Sequence, residues 1–161
     1  MHTEEDFTDP PRRRLGALAL FRNPIGDILL VEKSYRSGRA RWGLPGGCAK
    51  QNEPVPVACQ REVLEETGLH VVPGRVLVLH HVPANGTSAE GINAVFDGGV
   101  LDDGTSITLS AELTSYRWVP PASLDGMVAP YTAWRITSAL RSLTSEEPGV
   151  PLLVGHGPGA P

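Results

Sequence analysis

Apolar runs, broken by glycine, proline and aspartate, divide the chain into short strands and two longer helical stretches. Residues 15–21 (LGALALF) and 28–32 (ILLVE) are such runs. They are joined by Asn23-Pro24-Ile25-Gly26-Asp27, a turn signal, so a hairpin is predicted. Residues 34–41, SYRSGRAR, read as a basic, glycine-containing loop, and residues 42–47 as a short strand entering a tight turn. Pro54 and Pro56 suit a helix N-terminus, where a missing N–H costs little. A helix is therefore predicted over about 55–67, with Gly68 at the position where a helix ends in a left-handed residue. Residues 70–82 predict a strand bent near Pro73-Gly74, and residues 91–96 another. Asp97-Gly98-Gly99 reads as a turn, 101–110 as an irregular excursion and 116–119 as a further strand. A last helix is predicted over 131–143, with Ala133, Ile136, Leu140 and Leu143 on one face.

This pattern predicts a loose arm over residues 1–14, one domain over 15–145 and an irregular, Pro- and Gly-rich tail over 146–161. Strands mixed with two helices predict an α/β fold, with helices packed on a mixed sheet. A length of 161 residues fits one domain, and 40% hydrophobic residues can build its core. A net charge of −4 and a pI of about 5.7 argue against nucleic-acid partners and against an anionic membrane surface. No apolar run approaches the roughly 20 residues that span a bilayer. Arg12-Arg13-Arg14 before residues 15–21 imitates a signal peptide. The apolar stretch is short, however, and runs into Arg22 without a small-residue cleavage site, so it reads as a strand of a cytoplasmic protein. Cys48 and Cys59 make no disulfide framework, and Asn85-Gly86-Thr87 reads as a turn.

The chemistry sits on the first predicted helix. Glu62, Glu65 and Glu66 fall within about a 100° arc of a helical wheel. Like charges at that spacing cost about 0.2–0.5 kcal/mol per pair, so something must offset the repulsion. Val57 and Leu64 lie on the reverse face, Val63 and Cys59 on one flank, and these apolar groups are expected to anchor the helix. Glu53 lies just upstream, close enough to fold back. Clustered carboxylates suit Mg²⁺ or Mn²⁺ rather than zinc, and no His or Cys set has zinc spacing. His80-His81 is an adjacent pair that points to opposite faces of a strand. Alone, the glutamates would be an ordinary solvated face. Pro45-Gly46-Gly47 can bring bare backbone to them, and Arg61 can hold a carboxylate in its rigid fork.

The stretch resembles the Nudix box at every defined position. Gly47 is followed after five residues by Glu53, and after seven more come Arg61-Glu62, Val63, Leu64, Glu65-Glu66, Thr67, Gly68 and Leu69. The resemblance extends through residues 42–47 and, more weakly, Arg117-Trp118-Val119. It implies an α/β/α sandwich and a loop–helix–loop that binds a divalent cation, Mg²⁺ with Mn²⁺ able to substitute, together with a diphosphate. On that resemblance Glu62 and Glu66 are the main metal ligands, Glu65 a further one, and the Gly47 carbonyl and a remote Glu112 additional candidates. Asp97, Asp102 and Asp103 compete with Glu112. Glu62, Glu65 or a carboxylate outside the box is implied as the catalytic base, and Glu53 with Arg61 as a structural pair supporting the box. The implied reaction is hydrolysis of a nucleoside diphosphate linked to another group, a (d)NTP or a nucleotide sugar, in a monomer or a homodimer.

Arg36, Arg39 and Arg41 precede the box and could hold phosphates or a terminal sugar. Tyr35 or Trp42 could stack on a base, with Trp42 and Phe96 reading more as core. The extended motifs of the NADH and coenzyme A subgroups are absent, and Pro83 lies near but not at the spacing associated with ADP-ribose hydrolases. The competing classes are a non-catalytic nucleotide sensor, which would carry a degraded box, and an isomerase, which would need a cysteine in a strand before it.

Overall fold

The computed structural model describes residues 2–147 and 149–158. Met1, Pro148 and residues 159–161, which belong to the expected arm and tail, lie outside the described residues. A four-residue helix α1 (Glu5–Thr8) precedes the first strand, β1 (Arg14–Arg22). The chain continues through β2 (Ile28–Lys33), β3 (Trp42–Gly43), β4 (Gly46–Cys48) and α2 (Val55–Thr67). Then follow β5 (Val76–Val82), β6 (Gly91–Val100), β7 (Leu113–Val119), a short α3 (Leu124–Met127), α4 (Pro130–Thr144) and β8 (Leu152–Val154). Gly68 caps α2 at φ +71°, where its amide returns to the Leu64 carbonyl.

The strands form one sheet in the order β3-β2-β1-β6-β5-β8, with β4 beside β1 and β7 beside β2. β1 runs parallel to β6, and β5 parallel to β8; the remaining pairs are antiparallel. The sheet is therefore mixed, and the α/β class holds. Side chains alternate along β1, so one face carries Ala17, Ala19 and Phe21 and the other Leu18 and Leu20. α2 packs on the first face through Ala58, Cys59 and Val63. α4 packs on the second through Ala133, Ile136 and Ala139. The result is a helix–sheet–helix sandwich.

The expected β1–β2 hairpin is a fork. The two strands share one register pair, Arg22 with Ile28, and then diverge. Residues 42–48 bridge the opening: Trp42 and Gly43 pair with β2, and residues 46–48 pair with Leu18, Ala17 and Gly16 of β1. The glycine-rich turn is thus built into the sheet.

Several boundaries differ from the sequence reading. The strand expected from residue 70 starts at Val76, because the Pro73-Gly74 kink spends the Gly74 amide on the Asp97 carbonyl at 2.8 Å. Residues 97–99 are not a turn. β6 runs through them to Val100, absorbing the glycines in an irregularity opposite Leu20 and Phe21. The tail is not wholly irregular either. Leu152–Val154 adds a parallel strand to β5, because Leu153 is an apolar residue that the core can take, 8% exposed. Val57 and Leu64 do not anchor α2; they are 49% and 39% exposed, and the buried face is centred elsewhere. Among the described residues no helix is long and apolar enough to cross a membrane.

Candidate metal and nucleotide cleft

α2 turns its glutamates towards the protein. Ala58, Cys59, Val63, Glu66 and Thr67 are its buried residues, and Glu66 lies in the middle of that arc, only 3% exposed. Glu62 sits at the edge of the same face with its side chain 19% exposed, whereas the Glu65 side chain is 56% exposed. The turn after β3 meets this face. The Gly46 amide donates to Glu66 Oε2 at 2.7 Å. Gly46 has φ +126°, and a Cβ there would lie 2.1 Å from the Ala17 carbonyl oxygen. A Cβ on Gly47 would lie 2.4 Å from the Glu62 carboxylate carbon. Both glycines therefore leave room for close approach, one to backbone and one to a carboxylate.

Arg61 answers the repulsion on this helix. Its Nε and Nη2 donate to the two oxygens of Glu53 at 2.7 and 2.8 Å. Its Nη1 donates to Glu62 at 2.6 Å and to Glu65 at 3.1 Å, and Nη2 also reaches the Cys48 carbonyl at 3.2 Å. One guanidinium holds three carboxylates and the loop backbone. Hydrogen bonds from Arg61 pull the Glu53 carboxyl down to about 2. Glu66 is shifted the other way: burial raises it first, the Lys33 charge and the Gly46 amide oppose, and Glu62 and Glu112 add repulsion. Burial, more than mutual repulsion, sets the state of Glu66. Burial also pushes the Cys59 thiol up to about 12, so it is an inert core group.

Glu62 and Glu66 open onto a cleft of about 360 Å³, which Gly46, Gly47, Lys33, Arg36 and Glu112 also line. Lys33 Nζ donates to the Gly46 carbonyl at 3.3 Å. Glu112 is exposed, and its carbonyl accepts from the Ser34 amide at 2.9 Å, which ties its loop to the end of β2. The other candidates lie elsewhere. Glu65 does not line the cleft. Asp97 pairs with Arg22 at 3.1 Å, and Asp102 and Asp103 lie in an exposed turn. Arg39 donates to the Asp125 carbonyl, and Arg41 pairs with Glu32 at 3.0 Å. Of the three loop arginines, Arg36 alone is a cleft residue. Tyr35 and Trp42 both line it, and Trp42 also packs on the core and under the Arg117 guanidinium.

The donor set of Glu62, Glu66 and Glu112 is hard oxygen, which fits Mg²⁺ or Mn²⁺. Because Gly47 has no Cβ, the Glu62 carboxylate lies directly against the turn backbone, an arrangement that fits an ion shared between them. Among the described residues no three His, Cys, Asp or Glu side chains already converge on one point. Arg61 takes one oxygen of Glu62 and the Gly46 amide takes one of Glu66, which leaves the second oxygen of each for an ion.

The sequence reading missed a second set of cleft residues. Arg14, Asn93, Tyr131, Arg135 and His156 line it, and none belongs to the box. Arg135 is 8% exposed, and its Nε donates to His80 Nδ1 at 3.0 Å. Burial lowers Arg135 to about 10 and pushes the His80 imidazole down to about 4. An arginine in the buried stripe of Thr132, Arg135, Ser138 and Ser142 was the available signal, since such residues are almost never buried without a partner.

The NUDIX domain profile matches residues 12–140. Human 8-oxo-dGDP phosphatase is 36% identical over 111 residues, covering 66% of this chain and 32% of that protein. The chain thus spans about a third of the length of the first curated relatives it matches. A MutT-like protein of Streptomyces ambofaciens is 26% identical over 140 residues, covering 87% of this chain and 85% of that one. The crystal structure of a MutT protein from Methanosarcina mazei superposes with a TM-score of 0.71 at 30% identity, covering 84% of this chain and 99% of that one.

Proposed function

The chain belongs to the NUDIX domain family, and from that premise we propose that it is a Mg²⁺-dependent hydrolase of a diphosphate bond in a nucleotide, a (d)NTP or nucleotide sugar. The observation that carries this is Glu66: a buried carboxylate fixed by the Gly46 amide, on one cleft wall with Glu62, Glu112 and Lys33. Glu62, Glu66 and Glu112 are the residues that would hold the cation, with the Gly47 carbonyl beside them. The ion, when bound, neutralises charge on the phosphates and activates water for attack.

The chain's own groups do the rest. Arg61 orients Glu62, and Gly46 orients Glu66, so neither carboxylate has to be ordered when substrate arrives. Lys33 and Arg36 line the same cleft and supply positive charge for the phosphates. Glu62 is favoured over Glu65 as proton acceptor, because Glu62 lines the cleft and Glu65 does not. Water attacks phosphorus, the bridging P–O bond breaks, and the water proton passes to the carboxylate. The names of two similar proteins, the human phosphatase above and a putative 8-oxo-dGTP diphosphatase of Bacillus subtilis, favour guanine nucleotides among the substrates to be tried.

The test is a panel of nucleotides and nucleotide sugars with products identified by mass, with Mg²⁺ and with chelator. Mg²⁺-dependent release of a nucleoside monophosphate is expected. Nucleotide binding without turnover on any member would make the chain a sensor and sink the proposal.

A further inference from the structure

The sheet register sets Cys48, Gly16, Asn93, His80 and Leu153 in one row across β4, β1, β6, β5 and β8. Strands about 4.8 Å apart put His80 about 14 Å from the box strand β4. Asn93 leans back along that row. A Cβ on Gly16 would lie 2.1 Å from Asn93 Oδ1, so only glycine leaves the amide its place. Asn93 is 8% exposed and lines the cleft.

His80 is held in one tautomer. Its Nε2 lies 2.7 Å from the Gly155 carbonyl, which can only accept, so Nε2 carries the proton. Nδ1 is then the acceptor for the Arg135 Nε–H at 3.0 Å. A neutral imidazole is required for this, and the lowered His80 value keeps it neutral near pH 7. Arg135 enters none of the ion pairs found among the described residues. With Nε spent on His80, its two Nη groups are the part that can serve the cleft. The Tyr131 ring lies 5.8 Å from its guanidinium carbon.

A buried guanidinium without a carboxylate takes its acceptors from the cleft, from water or from a ligand that displaces it. A planar pair of donors matches two adjacent acceptors, as on the O6 and N7 edge of guanine. The Asn93 amide and the Tyr131 ring match a flat base. Arg14 and His156 add positive charge to the same lining, so a second phosphate is the rival ligand that the test must separate. We propose that Arg135 reads the acceptor edge of the substrate's nucleobase, and that His80, itself set by the Gly155 carbonyl, is the positioning residue that aims it. This rests on the nucleotide reading above and specifies which residues select the base.

The test compares kcat/KM for dGTP, 7-deaza-dGTP and dATP at saturating Mg²⁺. The wild type should prefer dGTP by about fivefold or more, the low end of what a bidentate contact discriminates. Arg135→Lys should reduce that preference below about twofold, with the loss mainly in KM. His80→Leu should do the same, and His80→Asn should recover most of it, because its amide oxygen can accept from Arg135 Nε. A variant that does not fold is replaced by Asn93→Ala in the same comparison. GMP, 7-deaza-GMP and AMP binding to the wild type by calorimetry gives a readout free of turnover. GMP selectivity without any hydrolysis would sink the proposed reaction and leave this inference standing. Equal kinetics on the three bases, an unchanged preference in Arg135→Lys, or a preference for NADP⁺ over NAD⁺ lost in Arg135→Lys would overturn it.

Discussion

At the scale of single residues, the two glycines of the turn make the same prediction for activity and different ones for stability. Gly47→Ala places a methyl against the far end of the Glu62 side chain, which can move. We expect at least a tenfold loss of turnover with a melting temperature within about 3 °C of wild type, since a surface-near shift costs little. Gly46→Ala meets the Ala17 backbone at a φ of +126° and should lower both activity and stability. Thermal melts beside initial rates separate the two. Glu66→Gln keeps the acceptor for the Gly46 amide and removes a charge that burial disfavours, so the fold should be retained or slightly stabilised. Its turnover should fall below about a tenth of wild type; a higher rate removes Glu66 from the metal site. His80 gives a pH signature. Its folded value of about 4 lies below the ordinary 6.5, so the unfolded chain binds the proton first. Stability contributed by the neutral ring is whole above pH 6.5 and lost as pH falls towards 4, on the order of 3 kcal/mol. Denaturant melts at pH 7 and pH 4.5 should differ less in His80→Asn than in wild type. The box residues were legible because their spacing is local. Arg135, His80 and Gly155 were not, because 55 and 75 residues separate the partners of each hydrogen bond.

At the scale of elements, α2 shows how a helix can be placed correctly and its face misread. Its limits follow from Pro54, Pro56 and Gly68, which are local signals. Its orientation depends on whether the carboxylates face water, and the wheel alone assigns Val57 and Leu64 to the core. The sheet decides otherwise, because the Gly46 amide and Arg61 make inward carboxylates tolerable. Val63→Ala should therefore cost about 2 kcal/mol, whereas Leu64→Ala, 39% exposed, should cost well under 1. Equal costs in chemical denaturation would mean that the helix is rotated. β8 was illegible for a related reason: three residues in a Pro- and Gly-rich stretch carry too little pattern, and its strand character comes from β5. Leu153→Asp would bury a carboxylate beside His80 and should undock the strand, lowering stability by about 3 kcal/mol.

At the scale of the molecule, the proposed cation would link site and stability. Mg²⁺ that binds only the folded chain stabilises it by RT ln(1 + [Mg²⁺]/Kd), about 2.7 kcal/mol at 100 times Kd. The melting temperature should climb with Mg²⁺ at pH 8 and climb less in Glu66→Gln. An identical response in the mutant would put the ion elsewhere. The fork between β1 and β2 bears on motion. The two strands share one register pair, and residues 42–48 bridge the gap at the cleft mouth. The exposed 34–41 loop beside this bridge has the few buried contacts that mark local opening, so it can move while the β1–β6 and β2–β7 ladders stay intact. In deuterium exchange, nucleotide should slow the amides of the bridge and the 34–41 loop, and leave those of β1 and β6 exchanging at the global rate. The protein would then admit its ligand as a purse opens at the clasp, with the stitching untouched.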